Sequence, residues 1–218
     1  MPFLTPPAEP EAPTQARDDE QPSVDGRRAR RDRNADTVVN ALLELFREGE
    51  MYPSAQQVAD RSGVSLRSVF RYFSDLNQLA IQAFATQVAR TAHLWVLEVP
   101  APGTPLAERI SALAAHRARL YEVIAPFARA AMVRAPRLPF VAAVLEQRRA
   151  AGLDHLRASF APELGRLPEA RRAVELDCLD AATTFEACDH LVFRTGRSIA
   201  ELEAMLTLTL TRLLAPIA

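Results

Sequence analysis

Apolar residues recur at three- and four-residue spacing along most of this chain, and from Pro102 onward no stretch alternates as a strand would. Ala35, Val39, Leu42 and Phe46, widened by Leu43 and Leu45, predict a first helix from Asn34 or Asp36 to Arg47, ended by Gly49. Ala55, Val58 and Ala59 mark a short second helix, and Val69 with Phe73 the inward side of a third. Leu79, Ala83 and Val88 carry a fourth helix from Asp75 to about Glu98, stopping before Pro100. Beyond it, proline and glycine punctuation predicts helices from Thr104-Pro105 to about Ile124, Phe127 to Ala135, and Pro139 to Phe160. Two long ones follow, Glu169 to Arg194 and Ser198 to Leu214, parted by Gly196. The fold class is therefore all-α, with about nine helices.

The segment from Pro53 to Leu79 has the most specific local chemistry. Ser54 with Gln57 three residues on forms a capping box, Gly63 provides a left-handed turn, and Ser65 caps the next helix. Two helices joined this tightly cross at a steep angle, which is the helix-turn-helix arrangement. With Val69 and Phe73 inward, Leu66, Arg67, Phe70 and Arg71 face outward. Two arginines beside two large apolar groups suit a helix lying in a DNA major groove. Arginine forks onto guanine O6 and N7, and apolar atoms meet a thymine methyl.

At these residues the chain resembles the TetR family of bacterial transcriptional regulators. The resemblance rests on Gly63-Val64-Ser65, Phe70-Arg71-Tyr72-Phe73 and Ser74-Asp75-Leu76 with Leu79, and covers roughly residues 33 to 84. Phe70 stands where the family usually has tyrosine and Leu76 where it has lysine, so two phosphate contacts are missing or displaced. The resemblance implies a three-helix DNA-binding domain at 27–84 and an effector-binding and dimerisation domain at 85–218. It implies that Ser54, Ser65 and Tyr72 meet phosphates, that Gln56, Leu66, Arg67 and Phe70 face bases, and that Arg71 does either.

Composition narrows the partners. The 218 residues carry a formal net charge of −1, so a nucleic-acid surface must be local. Arg27, Arg28, Arg30, Arg31 and Arg33 form such a patch just before the first helix, and a basic arm there tracks phosphates or enters a minor groove. Residues 1–26 hold six prolines and several acids without apolar periodicity, and read as a disordered leader. All 26 basic residues are arginine, which fits a GC-rich codon bias rather than a mechanism.

Enzyme chemistry finds no foothold. His93, His116, His155 and His190 lack metal-ligand spacing, no phosphate-binding glycine loop exists, and neither metal nor cofactor is expected. Cys178 and Cys188, ten positions apart on one predicted helix and roughly 15 Å along its axis, are too far apart for a disulfide and read as buried thiols. No apolar run reaches transmembrane length and no signal-peptide core is evident, which makes a membrane partner unexpected and the cytoplasm the default.

The last helix carries apolar residues on more than one face. Leu202, Met205, Leu206, Leu210 and Leu213 are expected to pair with a second copy, as the corresponding helices of the resembled family do. Trp95, Phe127, Phe140, His155 and Phe185 are the candidate lining of an effector pocket for an unidentified small molecule. The reading is a dimeric regulator, a repressor released by its effector from a near-palindromic double-stranded operator. The alternatives are an activator, or an all-helical carrier or enzyme with a vestigial helix-turn-helix.

Overall fold

A computed structural model describes the backbone of residues 24–96, 101 and 103–215, with side chains from residue 28 onward. The described residues are helical with no β-strand, as expected. α1 (Val24–Arg47), α2 (Ala55–Ser62), α3 (Leu66–Tyr72) and α4 (Leu76–Arg90) are followed by a 3₁₀ turn at Ala92–Trp95. Then come α5 (Leu106–Arg134), α6 (Pro139–Ser159), α7 (Ala161–Gly165), α8 (Glu169–Thr183), α9 (Phe185–Asp189), a π turn at His190–Arg194, and α10 (Ile199–Leu214). None of these helices is long and apolar enough to cross a membrane.

α1 packs on α2, α3, α4 and α5, which makes it the hub of the N-terminal half. Val38, Leu42, Leu43 and Phe46 of α1 meet Val58 of α2, Val69 of α3, and Leu79 and Phe84 of α4 in one core. Phe127, Ala130 and Ala131 of α5 and Val141 of α6 belong to that same core, so the apolar interior runs without a seam from the first four helices into the rest. In the other half α5 is central, packing on α6, α9 and α10, while α8 packs on α6 and α10.

Five sequence expectations change. α1 begins at Val24, about ten residues before the expected start, so the arginine run is helical rather than an extended arm. The leader expected over 1–26 falls almost wholly outside the described residues. α4 ends at Arg90, where Thr91 turns the chain into the 3₁₀ segment, so it is shorter than expected.

α5 runs straight through Pro126, where the sequence suggested two helices. A mid-helix proline costs about 3 kcal/mol. Tyr121 and Ala125 on one side and Phe127, Ala130 and Ala131 on the other are all buried, and burying such side chains is worth about 1.5–3 kcal/mol for each large one. The helix expected to run unbroken from Glu169 to Arg194 breaks instead at Thr184, which takes an extended conformation and caps α9 by accepting from the Ala187 amide.

The last change concerns α10. Leu202, Leu206 and Leu210 are buried inside the chain's own core against α5, Leu206 with 2% exposure, and Met205 and Leu213 are half-buried. Leu202, Leu206 and Leu210 are therefore not a surface that a second copy can meet. A free helix shows the same apolar stripe whether its partner is its own chain or another.

Candidate nucleic-acid interface and internal cavity

Local chemistry builds the helix-turn-helix as expected. The Ser54 hydroxyl accepts from the Gln57 amide while the Gln57 side chain accepts from the Ser54 amide at 2.8 Å, closing the capping box. Gly63 sits at φ 66°, a left-handed conformation that a side chain would strain, and turns the chain from the end of α2 at Ser62 to the next cap at Ser65. Ser65 caps α3 by accepting from the Ser68 amide. Asp75 caps α4 by accepting from the Gln78 amide at 2.8 Å.

Buried Val69 and Phe73 clamp α3, and this clamp fixes what it shows outside. Leu66 is 37% and Phe70 48% exposed, and Arg67 and Arg71 are exposed beside them. Ser54, Gln56 and Ser65 are also exposed, Gln56 donating to Asp60 on its own helix at 2.7 Å. Tyr72 differs from the rest. It is half-buried, and its hydroxyl accepts from Asn34 of α1 at 3.2 Å and from Arg71 at 3.0 Å. These donors hold the phenol below its ordinary pKa, Asn34 contributing most and the Arg31 charge adding to it.

The Asn34–Tyr72 bond places one face of α1 beside the recognition helix. Arg31 and Arg30 lie three and four residues before Asn34 on that face, and both are exposed. Arg28 and Arg33 are exposed on flanking directions; Arg27 lies in α1 with its side chain outside the described residues. The structure thus gathers Arg30, Arg31, Arg71 and Tyr72 on the recognition-helix side. The sequence contained this only as a run, because the helical phase of the arginines depends on where α1 begins.

Behind this surface lies a cavity of about 190 Å³ bounded by α4, the 3₁₀ turn, α5, α6, α8 and α9. Of the expected lining residues, Trp95, Phe127 and Phe185 contribute to it. Phe140 does not: it is 42% exposed at the start of α6. His155 does not either, and packs edge-on against His116 with ring centroids 5.9 Å apart. Sequence reasoning missed Phe84, Gln87, Val88 and Thr91, through which α4 reaches the cavity, and Arg117, whose burial no local pattern signals.

Other groups are placed differently from expectation. Cys188 is buried at the cavity with its thiol pushed up to about 11 by burial, but Cys178 is exposed on α8. Both are free and stand on separate helices. No cluster of three or more metal-ligating side chains occurs among the described residues.

No protein-family model matches the chain, and neither does any curated protein sequence. Solved structures do. A transcriptional regulator from Rhodococcus sp. Rha1 superposes with a TM-score of 0.59 at 22% identity, over 84% of this chain and 96% of that one. A protein assigned to the TetR family of transcriptional regulators, from Mesorhizobium loti, superposes with a TM-score of 0.56 at 16% identity, over 86% and 98%. The fold is the TetR-family fold. Within that TetR-type architecture, the exposed α3 surface and the cavity border one continuous core, to which Val69 and Phe73 belong on one side and Phe84 and Phe127 on the other.

Proposed function

We propose that this chain is a sequence-specific DNA-binding transcriptional regulator, a repressor released from a near-palindromic operator by a small-molecule effector. The observation that carries the reading is the α3 surface. Leu66, Arg67, Phe70 and Arg71 are held outward by the buried Val69 and Phe73, so large apolar and cationic groups stand together where a structural helix would hide the former. Arg67 and Arg71 read base edges or phosphates, Leu66 and Phe70 meet thymine methyls, and Arg30 and Arg31 anchor the backbone from α1. Ser54, Gln56 and Ser65 border the same surface. Residues 27–84 act as the DNA-binding domain and 85–218 as the effector and dimer domain.

Release follows from the position of α4. It begins right after α3 and ends at the cavity, contributing Phe84, Gln87, Val88 and Thr91 to the lining. A ligand that enlarges the cavity presses on α4 and moves α3 relative to a second copy, which changes the spacing of two recognition helices on DNA.

The homodimer surface is the outer side of α8 and α10, which pack on one another. Val174, Cys178 and Ala181 form an exposed stripe on α8, and Ala204, Leu208 and Thr211 the same on α10, with Val174 and Leu208 more than half exposed. Two recognition helices are needed because one covers only a few base pairs.

The test is a gel-shift titration of the purified chain against DNA flanking its own gene, with scrambled duplex as competitor. Binding that survives the competitor at physiological salt supports the reading. Equal affinity for both duplexes overturns it.

A further inference from the structure

The cavity holds a positive charge that its surroundings do not neutralise. Arg117 projects from α5, is 8% exposed, and lines the cavity. Its Nη2 donates to the Gly152 carbonyl of α6 at 2.9 Å, its Nε has no partner, and it makes no ion pair among the described residues. Gly152 is shaped to it. A Cβ there would stand 3.2 Å from Nη2 and 3.4 Å from Nη1, and a buried mid-helix glycine costs about 1 kcal/mol relative to alanine. Helix α6 therefore gives up a side chain where the guanidinium approaches.

The other charges on the wall leave this one uncompensated. Arg149 pairs with Glu186 at 3.2 Å. Arg148 lies over the Trp95 ring at 4.6 Å. Asp180 also lines the cavity and its charge acts on Arg117, but the two make no ion pair, and burial pushes the Asp180 carboxyl up against the pull of Arg117. Arg117 and Arg148 thus face one aspartate that makes an ion pair with neither. Burial likewise disfavours the Arg117 cation, which nonetheless stays protonated because arginine deprotonates only far above neutrality. An unpaired buried cation is costly, and the general remedy is a carboxylate accepting two of its N–H bonds. Most of the rest of the wall is apolar, led by Phe84, Trp95, Leu120, Ile124, Phe127 and Leu145, with Gln87, Tyr121 and three threonines as its uncharged polar side chains.

We infer that the cavity takes an amphipathic monocarboxylate, its acid group on Arg117 and its hydrocarbon or aromatic body against those six side chains. The inference rests on the effector reading above and narrows it to one chemical class. Nothing in this arrangement suits an organic cation, since the one free acid is Asp180 and Arg117 would repel it.

Three ten-carbon probes test it: decanoate, decanol and decylamine, titrated calorimetrically into the full chain at pH 7.5. Charge-assisted bonds in a dry site predict decanoate binding at least about tenfold tighter than decanol, with decylamine weakest. In Arg117→Met, which keeps the volume and removes the charge, decanoate and decanol should bind alike, with circular dichroism reporting the fold. Arg117→Lys should restore part of the preference, and serves should the methionine variant not fold. Decanol or decylamine binding as tightly as decanoate in the native chain overturns the anion assignment, as does a preference unchanged in both variants or no binding by decanoate. A tight decanoate complex that leaves affinity for the operator duplex unaltered sustains the anion site but overturns its role as the effector switch.

Discussion

The ring of Phe46 in α1 stacks on the ring of Phe84 in α4, with centroids 5.5 Å apart and planes 10° from parallel. Phe84 also lines the cavity, and the Arg134 guanidinium of α5 sits over the Phe46 ring at 4.7 Å. One aromatic contact therefore touches the cavity on one side and the hub of the helix-turn-helix on the other. Phe84→Ala should cost about 3–5 kcal/mol in urea unfolding, as buried phenylalanine truncations do. Phe84→Leu, a smaller loss of volume, should fold and bind DNA but blunt the response to ligand. A Phe84→Leu protein with an unchanged ligand response would show that the signal bypasses this stack.

For DNA recognition, Arg67→Ala should weaken binding to the flanking duplex by about 1–3 kcal/mol and leave scrambled DNA nearly unaffected. The pair Arg30→Ala and Arg31→Ala should instead weaken both duplexes alike and reduce the salt slope by roughly two, one for each lost phosphate contact. Fluorescence polarisation over a salt series measures both. An unaltered slope in the double variant would remove α1 from the interface.

Two leucines only two residues apart, and so on different faces of α10, separate the dimer surface from the core. Leu208 is 51% exposed on α10, whereas Leu206 lies within the core against α5. Leu208→Glu should leave a folded monomer by light scattering and circular dichroism, with specific DNA binding lost. Leu206→Glu should unfold the chain, because it buries an unpaired charge. A fully dimeric Leu208→Glu protein would move the interface off α10.

Acid should destabilise the chain in two stages. His116 is buried on α5 with Nε2 unpartnered, and desolvation, with the Arg117 charge adding to it, lowers its pKa to about 4. Desolvation and Arg117 also lower His155. Between the ordinary histidine value of 6.5 and about 4, the unfolded chain binds a proton that the folded chain refuses. Stability is thus complete above 6.5 and falls as pH drops toward 4, by at most about 3 kcal/mol for His116 at roughly 1.4 kcal/mol per unit. His116→Gln should flatten the urea midpoint between pH 6.5 and 5. A native midpoint already flat over that range would contradict the assignment.

The second stage belongs to Glu163. It accepts from Arg109 at 2.6 and 2.8 Å in a buried two-bond pair, and Arg109 also donates to the Ser159 carbonyl at 2.6 Å. The hydrogen bonds from Arg109 hold the Glu163 carboxyl below its ordinary value, so this contribution is present above the unfolded value of 4.5 and is lost as pH falls further. Glu163→Ala strands the buried guanidinium and should cost about 3–5 kcal/mol at neutral pH by denaturant titration. A loss under 1 kcal/mol, the range of an exposed pair, would mean that water reaches Arg109.

What the sequence determined by itself is the local architecture. The box at Ser54–Gln57, the turn at Gly63 and the outward Leu66-Arg67-Phe70-Arg71 face depend on residues at most a turn or two apart. Such interactions are set by residues close in the chain, so the pattern shows them, although packing of Val69 and Phe73 is what holds them in place. Tertiary structure decided the remainder. Pro126 reads as a break in the sequence because the local cost of proline is visible there and the burial that offsets it is not. Thr184 reads as helix in the sequence because threonine interrupts only where its hydroxyl finds a cap to make. Leu206 and Leu208 are both apolar, and only the position of α5 determines which of them is buried. Arg117 is one arginine among 26 in the sequence, and it became a candidate ligand contact only once α5 and α6 closed around it without a carboxylate. Burial is a sum over contacts distant in the chain, which periodicity within one helix cannot contain.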